Sequence, residues 1–181
     1  SEPLWSAANK LDGDGTNAGN AGTPTPNDRV ILTHNGTQGI GFRWSVFGVD
    51  SLSSAQQNDL AKTPFGTESD LVDFIRGDRT NEGPNKFRIR ASALGDVVHS
   101  SPVFVGAPSL NWPDTAPFPD GTEAYSVFRD STPATPRTPV VYFGANDGML
   151  HGVHANTGEE LLAYIPGYLF SDAPAAGLHY L

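Results

Sequence analysis

The sequence predicts a mainly β fold with two short helices and long loops. Three observations support this. The 181 residues include 20 glycines and 15 prolines, a content typical of many turns and short strands. Residues 140–166 hold three apolar runs separated by turn dipeptides. Helical patterns are confined to residues 51–77. We therefore expect a polar flexible arm at 1–29, a strand with a helical entry segment at 30–86, and blade-like strands at 87–181.

The clearest element is an antiparallel three-strand meander at 140–166. Its turns fall at Asp147-Gly148 and Thr157-Gly158, where glycine supplies the positive φ that tight hairpins require. Val140 to Phe143 form a continuous apolar run, which is typical of a strand buried on both faces. β-Propeller blades have this form, as do antiparallel hairpins in a sandwich. The pattern alone leaves both open.

Shorter strands are predicted on either side of the helices. Residues 29–33 and 42–47 are apolar enough for two, with a turn at Asn35-Gly36 between them. The alternating FRIRA at 87–91 predicts another, and SSPVFVGAP at 100–108 predicts a strand of about four residues. Residues 107–138 form a long insertion rich in proline and glycine, of the length that functional loops have.

The two helices are predicted from their caps. Ser53 or Ser54 is the N-cap of the first, and Thr67 with Asp70 three residues later resembles a capping box for the second. Leu71, Phe74 and Ile75 share one face. Gly77 stands where a helix-terminating glycine belongs.

Composition excludes several classes of function. Eleven basic against 20 acidic residues give a net charge of −9, which disfavours nucleic acid and anionic membranes as partners. The absence of cysteine excludes disulfides, thiolate catalysis and Cys-zinc sites. Divalent cations remain compatible with the acidic surface.

Three stretches together identify a family. They are LVDFIRGDRTNEG at 71–83, LGDVVHSSPVFVGAP at 94–108 and PVVYFGANDGMLHGVHANTGEELLAYIP at 139–166. In order and spacing they resemble the C-terminal quinoprotein-like β-propeller of the PilY1-type proteins of type IV pili. The resemblance covers residues 30–181 and implies a partial β-propeller. At about 45 residues per blade the chain allows four blades at most, so we expect a fragment or a chain completed by another.

The resemblance also implies a function. PilY1-type proteins are secreted, pilus-associated factors of Gram-negative bacteria that promote pilus assembly and surface adhesion. We therefore expect a non-enzymatic pilus biogenesis factor or pilus-tip adhesin, located at the cell surface, outer membrane or periplasm. Its expected partners are pilins or minor pilins, a host or abiotic surface, and other parts of the same polypeptide. Two alternatives stay open: a fragment of a pyrroloquinoline-quinone-dependent dehydrogenase, and a periplasmic assembly scaffold.

Two candidate sites follow. Calcium is the one cofactor expected, because oxygen ligands alternate with glycines at Asp12, Asp14 and Thr16, although Thr23 stands where a calcium loop carries its bidentate acid. Arg76-Gly77-Asp78 spells an adhesion tripeptide, but Gly77 already fits a helix end.

Two other groups of polar residues are better explained structurally. Asp96 and His99 lie in a segment without a nucleophile elbow, so we expect them to satisfy buried partners rather than to catalyse a reaction. His151 and His154 are three apart in a strand, so they point to opposite faces and do not share a metal.

Overall fold

A computed structural model describes residues 4–13, 24–44, 51–61, 65–171, 173 and 176–180. Within these ranges the chain forms six strands, four α-helices and three short 3-10 helices. The strands are β1 (Ile31–His34), β2 (Gly39–Gly41), β3 (Val103–Val105), β4 (Val140–Gly144), β5 (Leu150–His154) and β6 (Glu160–Tyr164). The α-helices are α1 (Ala7–Asp12), α2 (Ser54–Leu60), α3 (Glu68–Ile75) and α4 (Tyr125–Arg129). The 3-10 helices are Gly121–Glu123, Gly167–Leu169 and Leu178–Tyr180.

The strands form one mixed sheet in the order β2-β1-β6-β5-β4-β3. Strands β3 to β6 are antiparallel neighbours, so the predicted meander is confirmed and β3 extends it to four strands. Such a four-stranded antiparallel unit has the form of a propeller blade. The β1–β2 hairpin joins it through a parallel pairing of β1 with β6.

The turns of the meander use glycine as the backbone requires. Gly148 has φ 82° between β4 and β5, and Gly158 has φ 73° between β5 and β6. The amide of Gly158 donates to the His154 carbonyl at 2.8 Å, which closes the second turn. Trp5 packs against this turn, and its indole N–H donates to the Ala155 carbonyl at 2.9 Å.

The core lies between the helices and the β1–β6 side of the sheet. Phe42, Leu71 and Phe74 from the entry segment pack with Ile31 of β1 and Ile165 after β6. Helices α2 and α3 both begin with a complete capping box, at Ser53 with Gln56 and at Thr67 with Asp70. The two predicted helices are therefore confirmed, and Ser53 rather than Ser54 is the first N-cap.

The structure corrects two strand predictions. The hairpin turns at once after Asn35, whose side chain accepts from the amides of Thr37 and Gln38, so β2 is Gly39–Gly41 and Phe42 to Trp44 lie after it. Residues 45–47 of the predicted strand lie outside the described residues. At 87–91, Phe87 forms an isolated bridge with Glu82 and no strand follows.

Two predicted loop regions contain helices. The described part of the predicted arm at 1–29 includes α1, which Ser6 caps and Leu11 anchors in the interior. The 107–138 insertion, which connects β3 to β4, contains α4 and the 3-10 helix Gly121–Glu123. Ala124 and Ala134 of the insertion are buried.

Candidate functional site

A chain of buried charged side chains crosses the sheet where the blade meets the β1–β2 hairpin. Its members are Arg29, Asp147, His151 and Glu160, which we call the junction network. His151 is the second residue of β5 and is fully buried, and Glu160 is the first residue of β6. Arg29 precedes β1 and is 2% exposed. Charged groups this deep are rare unless they are paired, so their partners determine what the site can do.

Glu160 is the centre of the junction network. Its Oε2 accepts from Nε of Arg29 at 2.7 Å, and its Oε1 accepts from Nη2 of Arg29 at 2.9 Å. This two-point contact is the strong geometry of a guanidinium with a carboxylate. Nδ1 of His151 lies 2.8 Å from the same Oε1. One carboxylate therefore holds a cation from the hairpin and a ring from the neighbouring strand.

The other ring nitrogen of His151 contacts Asp147 in the turn before β5. Nε2 lies 3.0 Å from Oδ2 of Asp147. The same carboxylate accepts from the amide of Gly95 at 2.9 Å and from the amide of Met149 at 3.1 Å. Both imidazole nitrogens thus face carboxylate oxygens, an arrangement that the protonated ring satisfies best because both nitrogens then donate.

The pKa values follow from these contacts. Burial alone would raise the pKa of Glu160, but the hydrogen bonds from His151 and Arg29 outweigh burial and lower the pKa to about 2. Burial likewise opposes the charge on His151, yet Asp147 and Glu160 together raise its pKa above the ordinary value. Burial opposes the charge on Asp147 as well, but the hydrogen bond and charge of His151 and the amides of Gly95 and Met149 together lower its pKa. Each of these shifts favours the charged form of its group, which is the carboxylate of Glu160 and Asp147 and the imidazolium of His151.

Arg76 extends the contacts to α3. Its Nη1 donates to the Phe42 carbonyl at 2.8 Å, and its Nη2 donates to the carbonyls of Pro26 and Arg29 at 2.7 and 2.9 Å. In return Nη1 of Arg29 donates to the Arg76 carbonyl at 2.7 Å. Burial, together with the nearby cations Arg43 and Arg29, lowers the pKa of Arg76 to about 10. The two arginines hold the end of α3 against the start of β1.

A third buried arginine, Arg90, organises residues 74–90. Nε of Arg90 donates to Oε1 of Glu82 at 2.7 Å, and Nη1 donates to the Phe74 carbonyl at 2.7 Å. The guanidinium also lies 3.7 Å from the centre of the Phe74 ring. Ile89 is 72% exposed while Arg90 is buried. The apolar Ile89 thus faces solvent and the charged Arg90 faces the interior, which is the reverse of what the alternation in FRIRA predicts for a strand.

The contacts join the three stretches that the sequence singled out. Arg76 comes from 71–83, Gly95 from 94–108, and Asp147, His151 and Glu160 from 139–166. Gly95 has to be a glycine, because a Cβ there would lie 2.3 Å from the Asp147 amide nitrogen. Sequence reasoning did not assign these roles. The available indication was a histidine and a glutamate within otherwise apolar strands.

Comparison with known proteins supports the resemblance that the sequence indicated. The family model described as the PilY1 beta-propeller domain matches residues 94–173. A type IV pilus biogenesis factor PilY1 homolog of Xylella fastidiosa is 40% identical over 159 residues, which are 87% of this chain and 12% of that protein. PilY1 of Pseudomonas aeruginosa strain PAK is 38% identical over 175 residues, 92% of this chain and 14% of that protein.

The chain carries the PilY1 beta-propeller domain over residues 94–173. It spans about an eighth of the length of these curated relatives. No solved structure matches it significantly. The described residues contain no helix long and apolar enough to cross a membrane.

The residues of the adhesion tripeptide are held by contacts within the fold. Arg76 is 2% exposed, Gly77 has φ 108° at the end of α3, and Oδ1 of Asp78 accepts from the amide of Thr80 at 2.7 Å. Recognition by a receptor would require the Arg76 guanidinium to leave its carbonyl partners. Adhesion through Arg76, Gly77 and Asp78 stays a prediction, and it requires that the carbonyl contacts of Arg76 be broken.

The structure describes only part of the predicted calcium loop. Asp12 ends α1, and its Oδ1 accepts from the Ala93 amide at 2.7 Å, while Asp14 and Thr16 lie outside the described residues. Among the residues that the structure describes, no three acidic or histidine side chains converge as metal ligands do. Calcium binding at this loop stays a prediction.

The remaining candidate polar residues differ in how deeply they are buried. Asp96 and His99 are exposed, so the expectation that they satisfy buried partners is wrong; the Asp96 carbonyl accepts from the amide of Asn146, itself exposed, at 3.0 Å. His151 is buried and His154 is half-buried, with its Nδ1 accepting from the Asn156 amide at 3.2 Å. The charges of the junction network are used to hold strands together.

Proposed function

We propose that this chain is a non-catalytic β-propeller segment of a type IV pilus biogenesis factor, associated with pili at the cell surface. The PilY1 beta-propeller domain that it carries and the names of its relatives support this role. The observation that carries the proposal is the junction network, because it accounts for the shared motif residues by strand-to-strand contacts. His151 and Glu160 are too deeply buried to meet a substrate, and their charges are satisfied within the protein.

The partners that fit this role are pilins or minor pilins, with the rest of the same polypeptide completing the propeller. Location at the cell envelope suits a strongly acidic domain that does not need to bind nucleic acid. Adhesion to a host or abiotic surface would use exposed side chains rather than the junction network.

The test is made in the source bacterium with the complete gene. Deleting the gene should reduce the pili recovered by shearing and reduce surface attachment. Complementation with Glu159→Gln, a neighbouring half-exposed site, should restore both. Complementation with Glu160→Gln should restore less, in proportion to the loss of folded protein measured by immunoblot. Normal piliation and attachment after deletion would overturn the proposal.

The dehydrogenase alternative is tested on purified full-length protein. Pyrroloquinoline quinone and Ca²⁺ are added with alcohol or sugar substrates and an electron-accepting dye. The proposed role predicts no dye reduction above that of a boiled sample. Substrate-dependent reduction that requires the quinone would replace the proposal with an oxidoreductase.

A further inference from the structure

The 107–138 insertion carries an aromatic pocket that the function above does not explain. The pocket has a volume of about 340 Å³ and is lined by Trp112, Phe118, Pro119, Glu123, Tyr125 and Phe128. Sites for small ligands and side chains begin at about 300 Å³, so it is large enough for one group. Trp112 is 50% exposed and Phe128 is 46% exposed. The rings are therefore open to a partner.

The rings are held in place by the insertion itself. Trp112 and Phe118 lie with ring centres 5.3 Å apart, and Tyr125 and Phe128 lie 6.0 Å apart, both pairs tilted. Two hydrogen bonds tie the wall that carries Trp112 to the wall that carries α4. Oδ1 of Asp114 accepts from the Ser126 amide at 3.3 Å, and Nη1 of Arg129 donates to Oδ1 of Asn111 at 2.9 Å. Such a pocket is formed before a ligand arrives.

The electrostatics of the pocket favour a cation. Aromatic faces carry negative potential, and four aromatic residues line this one space. Glu123 is the one charged residue among the pocket's lining residues, and its charge is negative. The net charge of −9 adds to the attraction. An anionic group such as a phosphate would be repelled by the same features.

The chain itself shows which cation suits these rings. The guanidinium of Arg137 lies over the Phe128 ring at 5.4 Å from its centre. Arg137 is not among the residues that line the pocket, so the pocket side of the cluster remains available. A guanidinium is more weakly hydrated than an ammonium, stacks on aromatic rings and pairs with a carboxylate at two points.

We propose that this pocket binds the guanidinium of an arginine side chain on a partner polypeptide, stacked among the rings and paired with Glu123. This inference is independent of the role in pilus biogenesis, since it concerns binding by the isolated chain. It would give the insertion a recognition function separate from the scaffold.

The test is a heteronuclear NMR titration of the 181-residue chain with N-acetylarginine amide. The chain has three tryptophans, so the indole N–H signals give one reporter and two internal controls. The Trp112 signal should shift and saturate. Those of Trp5, bonded to Ala155, and Trp44, packed on the core, should not move and report that the fold is intact.

The neutral isostere, N-acetylcitrulline amide, separates charge from shape. It should bind about tenfold more weakly, as expected if cation–π contacts and the Glu123 pair contribute at a partly desolvated site. Glu123→Gln should reduce the preference for arginine over citrulline. Phe118→Ala should weaken binding while keeping the Trp112 reporter. Tyr168→Ala, an exposed aromatic outside the pocket, should change nothing.

Two outcomes would overturn the inference. One is equal binding of the arginine and citrulline probes, which would make the pocket a general apolar site. The other is no saturable shift of Trp112 at probe concentrations up to tens of millimolar while Trp5 and Trp44 report a folded chain. Loss of pilus function in the bacterium would not bear on either result.

Discussion

The junction network and the aromatic pocket place their residues in opposite ways. The junction network buries Arg29, His151 and Glu160, residue types that usually face water. The pocket leaves Trp112 and Phe128 half exposed, although large aromatic rings gain most from burial. Buried charges specify how strands meet, whereas exposed rings are available to a partner. The motifs that identify the family thus belong to its scaffold, and recognition is better sought in the insertion.

The largest expected effect comes from Glu160→Gln. It removes the charge that pairs with Arg29 and His151 while keeping the side-chain shape. Leaving buried cations without their partner should lower the free energy of unfolding by about 3–5 kcal/mol. Urea denaturation followed by circular dichroism measures it, with Glu159→Gln as the matched control. A loss below that of an ordinary surface substitution would show that the junction network does not hold the blade.

Gly95→Ala tests the contact between the 94–108 stretch and the β4–β5 turn. The added Cβ would lie 2.3 Å from the Asp147 amide nitrogen, so the backbone has to move. Overpacking of this kind should cost about 1–3 kcal/mol of unfolding free energy. Gly39→Ala is the control, because its Cβ would find its nearest neighbour at 3.9 Å. Equal stability of the two variants would contradict the close approach.

The pH dependence of stability should report His151. Its pKa is raised in the folded state, so its contribution is complete below the ordinary value of 6.5 and is lost as pH rises through the raised pKa. The lowered pKa values of Glu160 and Asp147 act on the acidic side, where stability is lost as pH falls below 4.5 and 3.8. The melting temperature should therefore be highest between these limits.

The control for this profile is a pair of histidine variants. His151→Gln should flatten the decline above pH 6.5, whereas His99→Gln, at an exposed position, should leave it unchanged. A profile for His151→Gln that keeps the wild-type alkaline slope would assign the decline to other groups. The slope is the relevant quantity, because the substitution also lowers stability at every pH.

The parts of the fold set by short-range patterns could be predicted from the sequence. The meander depends on glycine turns between apolar runs, and α2 and α3 depend on capping boxes whose two members are three positions apart. Elements fixed by distant partners could not be predicted. Helix α1 is held by Asp12 bonding to Ala93 and by Trp5 against the Ala155 carbonyl. The pairing of β1 with β6 is likewise a contact between remote segments.

The candidate sites differ in the same way. The sequence identified the stretches that contain Arg76, His151 and Glu160, but it could not show that Arg29 joins them, because its contact with Glu160 spans 131 residues. The alternation in FRIRA also predicted a strand, whereas the structure buries Arg90 against Glu82 and Phe74. Burial of a charge is decided by its tertiary partner, which a local pattern does not contain.

The smallest expected effect on stability belongs to Trp112→Ala. Half of this side chain is exposed, and its ring contact is with Phe118 inside the insertion, so the sheet loses nothing. We expect a change in unfolding free energy below about 1 kcal/mol, in the range of surface substitutions. Urea denaturation followed at two wavelengths, with and without the arginine probe, measures the free energy of unfolding. Wild type should gain stability from the probe, because a ligand that binds only the folded state stabilises it, and the variant should not. A loss as large as that of Glu160→Gln would mean that the aromatic cluster is part of the scaffold, and the contrast between the two regions would fail.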